Sequence, residues 1–129
     1  MYTILIVDDE RNERDGLEKL IRRYQYDLKI LQAENGEAAL KVFGKNDIDI
    51  LLTDIKMPFM TGMELIEQVH KGGWNPVCII YSAYGEFEYA QNAIALGVLQ
   101  YLLKPIRLEE FQNLFQRVIN VCDERKKRE

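Results

Sequence analysis

Five times along this chain a short apolar run gives way to a stretch with helical periodicity, and that alternation restricts the fold more than any other feature. Ile4 to Val7 is a continuous β-branched and leucine run, followed by Leu17, Leu20, Ile21 and Tyr24 at the i, i+3, i+4, i+7 spacing of a single helix face. Leu28 to Ala33 predicts a second strand, with a short helix from about Gly36 to Phe43. Ile48 to Thr53 predicts a third, followed by Gly62, Leu65, Ile66 and Val69. Val77 to Tyr81 leads to Phe87, Ala90, Ala93, Ile94 and Gly97; Leu99 to Leu103 leads to Phe111, Leu114, Phe115, Val118 and Cys122. Parallel strands joined this way need right-handed helical crossovers, so the pattern predicts an α/β sheet covered by helices on both faces. The first, third and fourth runs are almost purely apolar, as strands buried on both sides must be, whereas LKILQAE and LQYLL admit polar residues. The second and fifth strands therefore belong at the edges. The expectation is a flavodoxin-like, doubly wound, five-stranded parallel sheet in the order 2-1-3-4-5 with five helices. No repeat beyond the unit itself, no low-complexity segment and no linker is visible before residue 122.

A chain of 129 residues, 47% hydrophobic and 29% charged, is the size and composition of one domain with one good core. Its apolar runs reach only four or five residues, far short of the roughly 20 that span a bilayer, and MYTILIVDDE has no basic segment or cleavage site. The expected location is the cytoplasm, with no membrane partner. Cys78 and Cys122 read as small buried hydrophobes rather than a disulfide. The net charge of −4 is uneven. The tail DERKKRE, residues 123–129, holds four basic and three acidic residues, leaving 13 basic against 18 acidic in the body, which should repel nucleic acid.

In open parallel sheets ligands bind beyond the carboxyl ends of the strands. Asp8 and Asp9 follow the first apolar run, Asp54 the third, Ser82 the fourth and Lys104 the fifth. Taken singly, each has an ordinary structural role open to it: Asp9 and Ser82 as helix caps, Asp54 as a partner of loop amides, Lys104 as a solvated cation. Together they predict one polar cluster on one edge. Two carboxylates about 5 Å apart repel by roughly 3 kcal/mol at an effective dielectric of about 20. A hard divalent cation offsets this, and Mg²⁺ suits one or two carboxylates, several waters and a phosphate oxygen. Lys104 adds a compact positive charge suited to a phosphoryl group.

Other ligands of such sheets are disfavoured. The first strand is followed by DDERNERD rather than a glycine-rich turn, so a dinucleotide site or P-loop lacks its phosphate cradle. His70, the sole histidine, lies in a helical stretch with no Ser or Cys partner suggested, so a catalytic triad has no base.

The stretches ILIVDDE, LLTDIKMPFMTG, IIYSAYGEFEYA and YLLKPI, in that order, resemble the receiver domain of bacterial two-component response regulators. The resemblance covers residues 3 to about 121. Carried over position by position, it implies that Asp54 is phosphorylated by a sensor histidine kinase and that Asp8, Asp9, Asp54 and the Lys56 carbonyl hold Mg²⁺. It implies that Ser82, Ala83 and Lys104 contact the phosphoryl group, that Ser82 and Tyr101 form the switch, and that Lys56 and Tyr84 tune the rate of dephosphorylation. Pro105 would follow Lys104 through a cis peptide. Such a domain is a phosphoacceptor, not an enzyme acting on external substrates, and phosphoryl transfer needs little beyond in-line placement and charge stabilisation. A Mg²⁺-dependent aspartyl-phosphate phosphatase would carry a second carboxylate two residues after the nucleophile; Lys56 stands there instead. The alternative function is a pseudo-receiver, an interaction module that never accepts phosphate. The resemblance is greatest to receivers attached to AraC-type DNA-binding modules, and implies homodimerisation through the face of the fourth helix, fifth strand and fifth helix. DNA contact would then come only from an output domain outside this chain. The expected division is a receiver domain over 1–122 and a charged tail or start of a linker over 123–129.

Overall fold

The computed structural model describes residues 1–83, 85 and 87–129, and for Phe87 its backbone alone. Strands β1 (Tyr2–Val7), β2 (Leu28–Ala33), β3 (Ile50–Thr53), β4 (Val77–Ser82) and β5 (Gln100–Leu103) alternate with helices α1 (Arg11–Arg23), α2 (Gly36–Lys45), α3 (Gly62–Lys71), α4 (Phe87–Ala95) and α5 (Leu108–Lys127). The strands pair in parallel in the order β2-β1-β3-β4-β5, as the distribution of polar residues predicts.

The pleat divides the apolar runs between two half-cores. Ile4, Ile6, Ile50, Leu52, Val77, Ile79 and Tyr81 meet Leu17 and Ile21 of α1 and Phe111, Leu114, Phe115 and Val118 of α5. Leu5, Val7, Leu51, Cys78 and Ile80 meet α2, α3 and α4 through Phe43, Leu65, Ile66, Val69 and Ala93. Cys78 and Cys122 lie buried on opposite faces of the sheet, which excludes a bridge between them, and burial pushes their thiols to about 12 and about 11. Local signals start α2 and α3. Asn35 caps α2 by accepting from the Ala38 N–H at 2.7 Å, and Thr61 and Glu64 form a reciprocal capping box on α3.

Ile94 departs from the expected pattern. The periodicity puts it on the apolar face of the fourth helix, yet the residue is 77% exposed. The buried line of α4 runs through Ala93, flanked by Tyr89 and Leu96, and Ile94 is turned about 100° away from it. His70 is exposed on α3. The charged end is helical as far as Lys127, and the Tyr2 hydroxyl donates to the Asp123 carboxylate, which ties that turn to β1. Among the described residues no helix is long and apolar enough to cross a membrane.

Candidate functional site

Backbone hydrogen bonds at the carboxyl ends of the strands bring the polar residues to one rim. The Asp8 N–H donates to the Ala33 carbonyl at 3.3 Å, the Asp54 N–H to Val7 at 3.0 Å and the Lys104 N–H to Ser82 at 2.8 Å. Each residue thus stands one step beyond an apolar strand, held by its neighbour's last carbonyl. The Lys104–Pro105 peptide is cis.

The side chains converge as the sequence predicts. Carboxylate oxygens of Asp8, Asp9 and Asp54 lie within 4.8 Å of one another, with Asp8 buried, Asp54 half-buried and Asp9 exposed. The Lys104 ammonium reaches Asp8 Oδ2 at 3.2 Å and Asp54 Oδ2 at 3.4 Å, far from the solvated position otherwise open to it. The remaining oxygens accept from the main chain: Asp8 Oδ1 from the Glu10 N–H at 2.9 Å and Asp54 Oδ1 from the Ile55 N–H at 2.7 Å. Asp9 does not cap α1; Glu10 occupies that position. Ser82 is fully buried at the end of β4, five residues before α4, so capping is not its role either. Ala83 follows it at the surface, and Lys56 is exposed two residues past Asp54, its Nζ 5.9 Å from the Tyr89 ring centroid. Tyr101 is half-buried on β5 against the second half-core. Tyr84 lies outside the described residues.

Glu13, which the sequence reading did not single out, approaches Lys104 at 3.9 Å from α1. Three carboxylates, those of Asp8, Asp54 and Glu13, therefore lie within 4 Å of one ammonium. For Lys104, burial opposes the charge, but Asp54, Asp8 and Glu13 outweigh it and raise its pKa above the ordinary lysine value. Asp54 is raised above the ordinary carboxylate range, first by burial and then by Asp8, against the opposing pull of Lys104 and the Ile55 N–H. A carboxyl whose folded pKa lies above its unfolded value favours the fold only while protonated; that contribution is complete below the unfolded pKa and is lost as pH rises through the folded one. At neutral pH an ionised Asp54 weakens the fold. Asp54→Asn is accordingly expected to raise Tm at pH 7 in metal-free buffer by about 2–5 °C, a gain that shrinks as pH falls through the carboxylate range. An unchanged or lowered Tm at pH 7 would show that Lys104 already balances the cluster.

The donor set fits a hard cation: three carboxylates with nearby oxygens and no soft ligand among them. Asp8, Asp9 and Asp54 could hold Mg²⁺.

A doubly wound sheet bearing an acidic trio and a lysine at its carboxyl rim defines a receiver-type signalling domain. Residues 4–116 match the response regulator receiver domain, and the chain belongs to that family. It is 37% identical over 120 residues to the uncharacterized transcriptional regulatory protein YesN of Bacillus subtilis, covering 92% of this chain and 33% of that one. It is 33% identical over 120 residues to the transcriptional regulatory protein HptR of Staphylococcus aureus, covering 92% and 47% respectively. The chain thus spans a third to about half the length of these relatives. Among solved structures, a response regulator receiver domain protein from Clostridium thermocellum superposes with a TM-score of 0.82 at 28% identity, covering 98% of both chains. Response regulator TrrA of Thermotoga maritima, in complex with Mg²⁺ and BeF, superposes with a TM-score of 0.79 at 30% identity, covering 92% of this chain and 99% of that one.

Proposed function

We propose that this domain accepts a phosphoryl group on Asp54 in a Mg²⁺-dependent reaction, from a phosphohistidine of a sensor histidine kinase. The observation that carries this reading is the packing of three carboxylates within 4.8 Å around an ammonium 3.2 and 3.4 Å from two of them. Asp54 is held at both oxygens: its Oδ1 accepts from the Ile55 N–H and its Oδ2 faces Lys104. A carboxylate oxygen attacks phosphorus, the P–N bond breaks, and its electron pair returns to the imidazole nitrogen. When bound, Mg²⁺ supplies the charge neutralisation that lets one anion approach another. Lys104 neutralises the opposite side and, with Ser82 and the Ala83 backbone, holds the phosphoryl oxygens.

The new oxygens offer the Ser82 hydroxyl a strong acceptor. Its movement toward them would free space for Tyr101, altering the surface of α4, β5 and α5, which we take as the dimer face. Lys56 and Tyr84, two residues past Asp54 and Ser82 in the sequence, would set the lifetime of the acyl phosphate. In this reading residues 1–122 are the receiver and 123–129 a charged tail or the start of a linker, and phosphorylation would control transcription in the cytoplasm through an AraC-type DNA-binding output domain. The similarity to transcriptional regulatory proteins supports transcription as the output.

Incubated with Mg²⁺ and acetyl phosphate, the chain is expected to gain the mass of one phosphoryl group, labile to acid and base, while Asp54→Ala gains none. Intact-mass spectrometry reads this directly. Mg²⁺ bound with no mass gained would establish the pseudo-receiver alternative, and modification at another residue would discard the site.

A further inference from the structure

The polar residue that marks β2 as an edge strand, Gln32, has a second consequence. Its side chain lies on the α1 face of the sheet, since it pairs with Ile6, whose side chain is in the α1/α5 half-core. There its Oε1 accepts from Arg14 Nε at 3.0 Å, and its Nε2 donates to Asp15 Oδ1 at 3.2 Å and Glu18 Oε1 at 3.0 Å. Both ends of the amide are engaged, so its orientation is fixed by three partners on one helix. Arg14 passes this constraint on: its Nη1 donates to the Asp8 carbonyl oxygen at 2.7 Å. That carbonyl lies where the β1–β2 ladder stops, because β2 ends at Ala33, the residue whose carbonyl receives the Asp8 N–H.

We propose that Arg14, locked by Gln32, is a positioning residue that clamps the Asp8–Asp9 turn in the geometry required for the divalent cation. The turn carries two of the three clustered carboxylates, and their mutual repulsion acts to spread it. A hydrogen bond from a guanidinium to the main chain at the pivot resists that spreading without occupying a carboxylate oxygen. Such outer partners of ligating groups are worth roughly 10- to 100-fold in metal affinity. The inference rests on the reading of the acidic trio as a Mg²⁺ site.

The sign of the effect separates positioning from simple electrostatics. Arg14 brings a positive charge close to Asp8, so through its field alone it would weaken binding of a dication, and its removal would tighten it. Positioning predicts the reverse. Arg14→Met is expected to raise the Mg²⁺ dissociation constant, measured by calorimetry on the unphosphorylated chain, by about tenfold. The Mg²⁺ concentration for half-maximal phosphorylation by acetyl phosphate should rise in parallel, with most of the rate recovered at high Mg²⁺. Gln32→Met leaves the Asp8 bond in place but unlocks the guanidinium, and should weaken Mg²⁺ measurably but by less than Arg14→Met does. Arg14→Lys retains one donor and the charge but cannot also bond Gln32, so it should match Gln32→Met rather than Arg14→Met. Combining Gln32→Met with Arg14→Met should add nothing to the latter, because the two act in series. Should Arg14→Met fail to fold, the Gln32→Met and Arg14→Lys variants decide the matter by the same calorimetry. Wild-type or tighter Mg²⁺ affinity in these variants overturns the clamp and leaves the Mg²⁺ site standing. Absence of Mg²⁺ binding by the unmodified chain, in both calorimetry and thermal shift, overturns both.

Discussion

Lys104→Met should lower Tm by about 10 °C in metal-free buffer and slow phosphorylation by acetyl phosphate by about 10²-fold or more. The side chain is only 16% exposed and touches Asp8, which is 3% exposed, and Asp54, which is 12% exposed. Methionine preserves the volume of the stem but leaves both carboxylates without their counter-charge, and removing one partner of a buried ion pair costs about 3 kcal/mol or more. The loss should depend on Mg²⁺. The ammonium and a dication seek the same oxygens, so in wild type the two compete, and in Lys104→Met the cation has the trio to itself. Saturating Mg²⁺ should therefore raise the Tm of the variant by more than it raises that of wild type, and recover part of the lost stability. The rate would not recover, because the charge missing from the far side of the phosphoryl group is not replaced. Thermal scans with and without Mg²⁺, beside a phosphorylation time course, check both halves. Equal Mg²⁺ shifts in the two proteins would place Lys104 outside the electrostatic balance of the rim.

The sheet and its rim were legible because their determinants are local and periodic. Apolar runs such as ILIV and VCIIY announce strands buried on both faces, and the residue following each run must emerge at the carboxyl edge whatever the rest of the chain does. Asp8, Asp54 and Lys104 therefore declare their meeting place without any distance being known. What stayed hidden acts across elements. Glu13 and Arg14 sit in the first turns of α1, where charged residues are ordinary; only the packing of the helix against β1 and β2 brings one to Lys104 and the other to the Asp8 carbonyl. Gln32 advertised an edge strand but not its three partners. Ile94 misled because a nine-residue helix offers too few apolar positions to fix the phase of its buried face, and Ala93 rather than the bulkier neighbour meets the sheet.

Gly62 is the remaining case of a determinant that pattern alone conceals, and its replacement should be nearly as costly as that of Lys104. In the sequence it falls on the apolar face of a helix, where alanine would ordinarily be preferred by about 1 kcal/mol. In the structure a Cβ at this position would overlap the carbonyl oxygen of Asp54 and lie 3.2 Å from Thr53 Cγ2. The obstacle is main chain, so no flexible side chain can swing aside. The Gly62 N–H also donates to the Ile55 carbonyl at 2.8 Å, holding the start of α3 against the strand end that carries Asp54. Gly62→Ala must displace either α3, whose capping box resists, or Asp54 itself. We expect a loss of about 3 kcal/mol, or roughly 10 °C in Tm, together with weaker Mg²⁺ binding as the carboxylate leaves its neighbours. Gly16 and Gly44 supply the control. Both lie within helices, and a Cβ at either meets nothing within 4 Å, so Gly16→Ala and Gly44→Ala should stabilise the protein by up to about 1 kcal/mol with Mg²⁺ affinity unchanged. Thermal melts and Mg²⁺ titrations of the three variants separate the effect of backbone contact from that of helix propensity. If Gly62→Ala behaved like the other two, the close approach of α3 to Asp54 would be irrelevant to holding that carboxylate in place.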